Sequence, residues 1–312
     1  MATTRASGCL RLSGFSDEIS SDFDCQLEVV RSLDMDHISL RSADGRGVAD
    51  YTLADFEELL LPRLEAAGVS ISSLGSPIGK IDIADEGAFA QQLAQLEELC
   101  RICEHTGCEF IRMFSFYMPK DASAADFRDE VMRKLRAFVA AAEAHGVTLI
   151  HENEKDIFGD VLERCEDIFA SVDSPNFKAA FDFANFVQCD QDPVACWAAL
   201  KDHVAYIHIK DAVYGNGENV VCGTGDGKIE QILDEAINTD GYEGFLTLEP
   251  HLVLFDALAS LEQAEATDVI KHDKAADGAE GYAMQKRALV EVLERIGLER
   301  SGVGTYVRAA HV

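Results

Sequence analysis

Three stretches of the chain repeat one pattern: EAAGVSISSLG (65–75), EHTGCEFIRMF (104–114) and EAHGVTLIHEN (143–153). In each stretch, a glycine that can end a helix in the left-handed conformation is followed at once by an apolar, β-rich run. The spacing from Gly68 to Gly107 and from Gly107 to Gly146 is 39 residues in both cases. That length is typical of one strand and one helix of an α/β barrel, so the pattern predicts such units in series.

Extending the pattern over the whole chain predicts eight strands separated by helical segments. The helical segments carry apolar residues at a spacing of three and four, whereas the strands are almost continuously apolar, as in a parallel sheet covered on both faces. Eight like units without a break in composition favour a closed (β/α)8 TIM barrel over an open sheet. We therefore expect residues 1–312 to form a single α/β domain with an eight-stranded parallel barrel, its strands near 10–14, 37–41, 69–74, 110–114, 148–152, 177–182, 205–209 and 245–249.

Residues 256–280 interrupt this pattern after the eighth strand, because they are polar and rich in Ala and Asp. The stretch is longer than a connection between a strand and a helix requires. We expect it to be a loop insertion over the barrel mouth, where such loops can act as lids, and we expect a last helix at 282–297.

The charge and the cysteine content restrict the partners. Asp and Glu outnumber Lys and Arg by 56 to 27, and the resulting formal charge of −29 repels nucleic acids and anionic lipids. No apolar run reaches the ~18 residues of a membrane span, so we expect neither nucleic acid nor a membrane as a partner. The nine cysteines form no framework of spacings and are interpreted as reduced thiols of a cytoplasmic protein.

A polar residue stands at the carboxyl end of each of the last four predicted strands. Because the carboxyl ends of barrel strands meet at one mouth, residues spread over 152–249 can converge there. Three carboxylates without a cation would repel one another, and a set of carboxylates and one imidazole suits Mn²⁺ or Mg²⁺, with Co²⁺ or Zn²⁺ as further options. The pattern predicts one divalent metal ion, Mn²⁺ in the first place, held by Glu152 in IHENEKD, Asp182 in FDFANF, His208 in YIHIKDA and Glu249 in LTLEPHL.

These four motifs, together with GSPIGKI (75–81) and RMFSFY (112–117), resemble the xylose-isomerase-like TIM-barrel family. That group includes tagatose/psicose 3-epimerases, inosose dehydratases and endonuclease IV nucleases, and the resemblance covers almost the whole chain. In the epimerases the ligands follow the order Glu, Asp, His, Glu on strands five to eight, which falls on the four residues named above. The resemblance also implies that Glu152 and Glu249 form the catalytic acid/base pair.

The function implied by this resemblance is that of a divalent-metal-dependent isomerase or epimerase. Its substrate would be a small sugar, keto-sugar or sugar phosphate, and protons would move through a metal-stabilised enediolate. A metal-dependent lyase or dehydratase acting on a keto-sugar or an inosose stays open. A zinc nuclease would need more histidine ligands and a basic surface, which the sequence does not offer. The sequence leaves open which sugar is used and whether the chain forms a homo-oligomer.

The chain departs from the family pattern at three positions. Asn185 stands where epimerases usually carry a His three residues after the Asp ligand, and Glu154 stands where many relatives have a His after Glu-Asn. Ser39 occupies the position in the second strand where relatives with GSPIGKI often have a Glu. These differences leave the substrate less well defined than the metal.

Four basic residues are predicted to contact the substrate. Lys210 and His251 each follow a predicted metal ligand by two positions, and Lys80 and Arg112 lie at the ends of the third and fourth predicted strands. Each has a structural alternative: an ion pair with Asp211 for Lys210, a loop cap for His251, and ion pairs with mouth carboxylates for Lys80 and Arg112.

Three further motifs are expected to be structural. His151 neighbours Glu152 on a strand and should therefore point to the other face of the sheet, into the core or against the site from behind. GTGDG (223–227) is expected to be a turn, because it lacks the lysine and hydroxyl residue of a phosphate-binding loop. Cys100 and Cys103 form a C-x-x-C in a helical stretch without a second pair, which favours core packing over metal or redox chemistry.

Overall fold

The computed structural model describes residues 9–119, 122–254 and 274–309. Eight parallel strands alternate with helices along the chain, as the helix–Gly–strand pattern predicts. Gly68 and Gly107 end their helices with φ angles of 63° and 74°, the left-handed conformation expected of them. The parallel strands are β1 Leu10–Gly14, β2 His37–Leu40, β3 Ser70–Ile78, β4 Phe110–Met113, β5 Thr148–Glu152, β6 Phe177–Asp182, β7 Val204–Ile209 and β8 Phe245–Leu248.

The outer layer of the fold consists of amphipathic helices that cover the sheet. The last of them begins at Gly278, four residues before the predicted start at 282, because the side chain of Asp277 caps it by accepting a hydrogen bond from the backbone N–H of Glu280. Residues 278–280 are therefore helical rather than part of the predicted 256–280 insertion, most of which lies outside the described residues. The helices are α1 Phe23–Ser32, α2 Leu53–Leu59, α3 Leu61–Ala67, α4 Glu86–Thr106, α5 Ala124–Glu143, α6 Leu162–Ser171, α7 Phe183–Gln188, α8 Pro193–Leu200, α9 Ile229–Asp234 and α10 Gly278–Arg295.

The sheet contains a hairpin that the sequence analysis did not predict. Its strands are β9 Leu298–Gly302 and β10 Thr305–Arg308, which pair antiparallel. The order of the ten strands is β9-β10-β1-β8-β7-β6-β5-β4-β3-β2, so β1 pairs with β10 where a closed barrel would pair it with β2. The prediction of a closed barrel of eight parallel strands is corrected here: the sheet has ten strands, and β1 and β2 do not pair in a ladder that would close it.

The seam between β1 and β2 shows how the hairpin replaces part of the expected ladder. In the first half of β1, Leu10 lies opposite Tyr306, and the backbone N–H of Leu12 donates to the carbonyl of Gly304 over 2.7 Å. The N–H of Gly304 in turn donates to the carbonyl of Asp34, just before β2. Past the hairpin, a single parallel bridge between Phe15 and Ser39 joins the two sides. β1 has only five residues, so once its first half binds the hairpin, little of it is left to pair with β2.

The interior of the sheet separates an apolar floor from a polar mouth. Phe110, Ile150, Ala180 and Tyr206 form a small cluster of their own, distinct from the main core between the helices and the sheet. At the edge of this cluster, the hydroxyl groups of Tyr206 and Ser72 form a hydrogen bond of 2.8 Å. Beyond it, the charged residues Arg41, Glu152 and Glu249 stand at the carboxyl ends of their strands. The fold thereby places the polar strand ends above an apolar base.

The structure agrees with the structural interpretation of the cysteines and of His151. Cys100 and Cys103 are both buried in the main core, and His151 is buried beside the rings of Phe169 and Phe177. All nine cysteines are free thiols. Among the described helices, none is both long enough and apolar enough to cross a membrane.

Candidate metal centre and active site

The four predicted metal ligands come together at the carboxyl ends of β5 to β8. Glu152 and Asp182 are the last residues of β5 and β6, His208 lies near the end of β7, and Glu249 directly follows β8. The pairing of Asp182 with His208 across neighbouring strands brings these two side chains level. All four residues are buried, and one ligand atom from each lies within 4.8 Å of the ligand atoms of the others.

The imidazole of His208 lies at the centre of three carboxylates. Its Nδ1 is 2.8 Å from Glu152 Oε1, 3.5 Å from Glu249 Oε2 and 4.0 Å from Asp182 Oδ2. Asp182 Oδ2 is buried and accepts no hydrogen bond from any described residue. Three carboxylate oxygens and one imidazole nitrogen are a donor set that Mn²⁺, Mg²⁺ or Zn²⁺ accepts, so these residues fit a divalent ion.

Two buried cations compensate part of the negative charge of this cluster. Arg112 Nη1 lies 3.1 Å from Glu152 Oε2, and Lys210 Nζ lies 3.2 Å from Asp182 Oδ2 and 3.4 Å from Glu249 Oε2. Burial by itself raises the pKa of Glu152, but His208 and Arg112 outweigh it and lower that pKa to about 2. At Glu249 burial is likewise opposed, chiefly by the charge of Lys210, and the pKa of this glutamate ends well below its usual value. Both glutamates are therefore ionised at neutral pH.

Asp182 differs from the two glutamates, because its charge is not fully compensated. Burial raises its pKa to about 7, while Lys210 opposes the shift and the charges of Glu249 and Glu152 add to it. An ionised Asp182 is thus costly unless a further cation is present. A buried carboxylate with a raised pKa is expected at a site that binds a positive ion.

Two asparagines hold the predicted ligands in place. The side chain of Asn153 accepts a hydrogen bond of 3.0 Å from the Asp182 N–H and donates one of 3.0 Å to its carbonyl. The Asn185 N–H donates to Asp182 Oδ1 over 2.8 Å, and its side-chain amide reaches Glu152 Oε1 at 3.4 Å. Asn185, which departs from the epimerase pattern, therefore contacts two of the predicted ligands.

Lys210 lies in the site, although the partner considered for it in the sequence does not pair with it. Asp211 instead accepts hydrogen bonds of 2.9 to 3.0 Å from the backbone N–H groups of Gly223, Gly225 and Gly227. The GTGDG segment is thus a turn, as expected, and it is wrapped around a carboxylate of this chain. That arrangement turns Asp211 away and leaves Lys210 with Asp182 and Glu249.

His251 is fixed next to the last predicted ligand. It has a φ of 46°, and its backbone N–H donates to Glu18 Oε2 over 2.8 Å. Its Nε2 lies 3.4 Å from Glu249 Oε1 and 3.5 Å from Glu18 Oε1. Burial and the charge of Lys210 lower the pKa of His251 well below its usual value, so the ring is neutral.

Lys80 and Arg112 both form ion pairs at the mouth, which is the structural alternative considered for them. Lys80 Nζ lies 3.1 Å from Glu154 Oε2 and 4.4 Å from the ring centre of Phe114. Arg112 is buried and, besides its contact with Glu152, donates to the carbonyl of Gly75 over 3.2 Å. Whether either residue also contacts a substrate stays a prediction.

Sequence analysis missed the polar residues at the ends of the first two strands. Asp17 and Glu18 follow β1, and Arg41 directly follows β2. Arg41 Nε lies 2.8 Å from Asp17 Oδ2, and its Nη2 and Nη1 lie 3.3 Å and 3.2 Å from Glu18 Oε1 and Glu249 Oε1. The rule applied to strands five to eight, that polar residues at strand ends meet at the mouth, would have found all three. Ser39, in contrast, is buried and hydrogen-bonded to Ser73 at 2.7 Å.

Known proteins of similar sequence or fold agree with this architecture. The chain is similar to the uncharacterized protein YihM of Escherichia coli K12, at 22% identity over 222 residues that cover 69% of this chain and 66% of YihM. Thus the chain matches slightly less than two thirds of that relative's length. The xylose isomerase-like TIM barrel family matches residues 27–272.

Three solved structures share the fold over 90% or more of this chain. An L-ribulose 3-epimerase has a TM-score of 0.70 at 18% identity, with 92% of this chain and 95% of that chain covered. The IOLI protein with a bound zinc atom has a TM-score of 0.70 at 15% identity, with 92% and 99% covered. AsbF of Bacillus anthracis, a probable 3-DHS dehydratase, has a TM-score of 0.66 at 17% identity, with 90% and 98% covered. The family predicted from the strand-end motifs is confirmed: this chain belongs to the xylose isomerase-like TIM barrel family.

Proposed function

We propose that this chain is a divalent-metal-dependent isomerase or epimerase acting on a small sugar, keto-sugar or sugar phosphate. The observation that carries the proposal is the buried set of Glu152, Asp182, His208 and Glu249, whose ligand atoms lie within 4.8 Å of one another. The shared fold with an L-ribulose 3-epimerase and with a zinc-bound protein supports it. We propose Mn²⁺ as the ion, with Mg²⁺, Zn²⁺ and Co²⁺ as alternatives. A divalent ion held there would supply positive charge beside a substrate carbonyl, which makes the adjacent C–H more acidic.

Glu152 and Glu249 are the proposed acid/base pair. Both are ionised at neutral pH, so each can accept a proton from a carbon atom next to a carbonyl. They come from different strands and approach the imidazole of His208 from 2.8 Å and 3.5 Å. If one glutamate removes a proton and the other returns one to the opposite face, the carbon is inverted. If a single glutamate removes the proton and delivers it to the neighbouring carbon, while the hydroxyl proton of that carbon moves to the former carbonyl oxygen, the result is an isomerisation.

Neighbouring residues keep these two carboxylates in place. Arg112 holds Glu152 Oε2 at 3.1 Å, and Arg41 holds Glu249 Oε1 at 3.2 Å, which leaves the other oxygen of each glutamate directed at His208. Lys210 and His251, buried on either side of Glu249, are the proposed contacts for substrate hydroxyl groups. Arg112 and Lys80 are proposed as further contacts at the edge of the mouth.

A metal-dependent lyase or dehydratase is the second candidate. The probable 3-DHS dehydratase AsbF, whose structure has the same fold, is the observation that favours it. The first step is common to both candidates, because a glutamate removes a proton next to a carbonyl in each. The outcomes differ in whether a proton returns to the carbon or a neighbouring hydroxyl leaves as water.

Solvent deuterium distinguishes these reactions. The metal-loaded protein is incubated in D2O with a panel of ketoses, inositols and keto-glycosides, and the products are analysed by NMR and mass spectrometry. Deuterium at the carbon next to the carbonyl without loss of water is expected for an isomerase or epimerase. Loss of water or of another leaving group would identify the lyase.

Two variants test the roles of the glutamates. Glu152→Gln and Glu249→Gln are expected to abolish exchange even where they retain the ion, because an amide does not accept a proton at neutral pH. Glu163→Gln, the same change on the exposed outer face of α6, is the control and should behave like the parent. If either variant binds the ion and turns over substrate as fast as the parent, that glutamate is not the catalytic base and acts only as a ligand. A parent protein that binds no divalent ion would contradict the proposed function altogether.

A further inference from the structure

A second group of candidate ligands lies beside the first and shares Glu249 with it. Glu18, Glu249 and His251 are all buried, and one ligand atom from each lies within 4.8 Å of the other two. Glu249 faces both groups, since its Oε2 is 3.5 Å from His208 Nδ1 and its Oε1 is 3.4 Å from His251 Nε2. By composition and spacing alone, the mouth could hold two divalent ions bridged by one carboxylate.

The guanidinium of Arg41 lies against the second group. Its Nη1 is 3.2 Å from Glu249 Oε1 and its Nη2 is 3.3 Å from Glu18 Oε1, which are the same two oxygen atoms that face His251 Nε2. Its Nε adds a bond of 2.8 Å to Asp17. Only 3% of the Arg41 side chain is exposed, so the cation is confined to this position.

We propose that Arg41 takes the place of a second divalent ion and thereby makes this a one-metal centre. The inference rests on the proposed function in so far as one ion occupies the first group. A guanidinium is charged at every accessible pH, so its single positive charge permanently offsets part of the negative charge of Asp17, Glu18 and Glu249. An incoming ion would have to displace it from three carboxylates and leave a buried charge without partners, which is strongly unfavourable.

The packing around Arg41 supports this role. The Cζ of Arg41 lies 4.5 Å from the ring centre of Phe15, so the aromatic ring supports the guanidinium while the carboxylates bind its N–H groups. Arg112 Cζ lies near the same ring, at 4.8 Å. Because Arg41 binds Glu249 through Oε1, only Oε2 remains for the first group. Arg41 is therefore also a positioning residue for the proposed base Glu249.

Counting bound ions tests the proposal directly. Apoprotein is titrated with Mn²⁺, and bound metal is measured by calorimetry and by elemental analysis after desalting. The parent is expected to bind one Mn²⁺ per chain and Arg41→Met two. The second ion should give the electron paramagnetic resonance signal of a spin-coupled pair, because Glu249 would bridge the two ions. The matched control, Lys80→Met, removes a mouth cation that pairs with Glu154 instead and should still bind one ion.

A double variant locates the second ion. Adding Glu18→Gln to Arg41→Met should return the count to one, because a charged ligand of the second group is then lost. A single ion in Arg41→Met, bound as in the parent, would overturn the proposal while leaving the proposed function intact. A parent that binds none would instead refute the proposed function.

Folding of the variants is part of the test. Removing Arg41 takes the guanidinium away from three buried carboxylates. The variants are therefore purified in excess Mn²⁺ and desalted before bound metal is counted. Arg41→Gln serves as a second substitution at the same position. If both variants stay unfolded in excess Mn²⁺, an ion cannot take the place of the guanidinium, and this result also contradicts the proposal.

Discussion

Replacing Asp182 by Asn tests the metal centre, because the structure separates the two roles of this side chain. Asp182 Oδ1 accepts the Asn185 N–H at 2.8 Å, and an amide oxygen can still do so. Oδ2 accepts no hydrogen bond from any described residue, but it lies 3.2 Å from Lys210 Nζ and 4.0 Å from His208 Nδ1. In the variant an NH2 group, which cannot bind a cation, takes the position of Oδ2. The local fold should survive while the ligand is lost.

The expected loss of metal affinity is at least about 10-fold and can exceed 100-fold. Loss of a hydrogen-bond partner behind a metal ligand typically costs 10 to 100-fold, and removing an anionic ligand itself should cost no less. In free energy of binding this corresponds to about 1.4 to 2.7 kcal/mol or more. Isothermal titration with Mn²⁺ measures it. Affinity equal to that of the parent would refute the assignment of Asp182 as a ligand.

The stability of the metal-free protein should change in the opposite direction. The pKa of Asp182 is raised from 3.8 to about 7, chiefly by burial, so the folded protein binds more protons than the unfolded chain between these values. Metal-free parent therefore loses stability as the pH rises from about 4 to 7, whereas the Asn variant lacks this loss. Above that range the variant should be more stable by up to about 4 kcal/mol, the upper limit set by the pKa shift.

Urea denaturation of both metal-free proteins at about pH 6 and pH 8 measures this difference. Asp211→Asn is the matched control, because Asp211 is a buried carboxylate near the mouth that accepts three glycine N–H groups. This control should lose stability, since an NH2 group would face those donors, but it should retain its affinity for Mn²⁺. A metal-free Asp182→Asn protein that is less stable than the parent would contradict the unfavourable charge inferred here.

Two further predictions concern the hairpin and the cysteines. Ending the chain after residue 296 removes β9 and β10, whose buried side chains include Leu298 and Tyr306. This truncation should lower the free energy of unfolding by about 3 kcal/mol or more. An unchanged urea midpoint would mean that the hairpin does not stabilise the junction between β1 and β2. Native protein treated with iodoacetamide should remain unmodified at Cys100, Cys196 and Cys165, because burial raises the pKa of these thiols. Denatured protein should react at all nine cysteines. Rapid labelling of these three cysteines in the native state, measured by mass spectrometry, would contradict their burial.

Much of the site could be predicted because strand ends in a parallel barrel share one mouth. Predicting Glu152, Asp182 and His208 required only the correct strand boundaries. The short apolar runs that precede these residues define those boundaries well. The partners of Lys210 could not be predicted in the same way. Its neighbour Asp211 is bound by a turn twelve to sixteen residues further along the chain, and nothing local in the sequence specifies that contact.

The sequence by itself determined the repeating helix–strand units, the strands and the polar residues at their carboxyl ends. These follow from local rules, since helical and strand periodicity and glycine caps depend on residues close together in the chain. Only the tertiary structure decided that Arg41 binds Glu249, a residue 208 positions away, and that the C-terminal hairpin fills the seam beside β1. Contacts of this kind depend on which side chains the tertiary fold brings together and on which charges must be compensated once water is excluded.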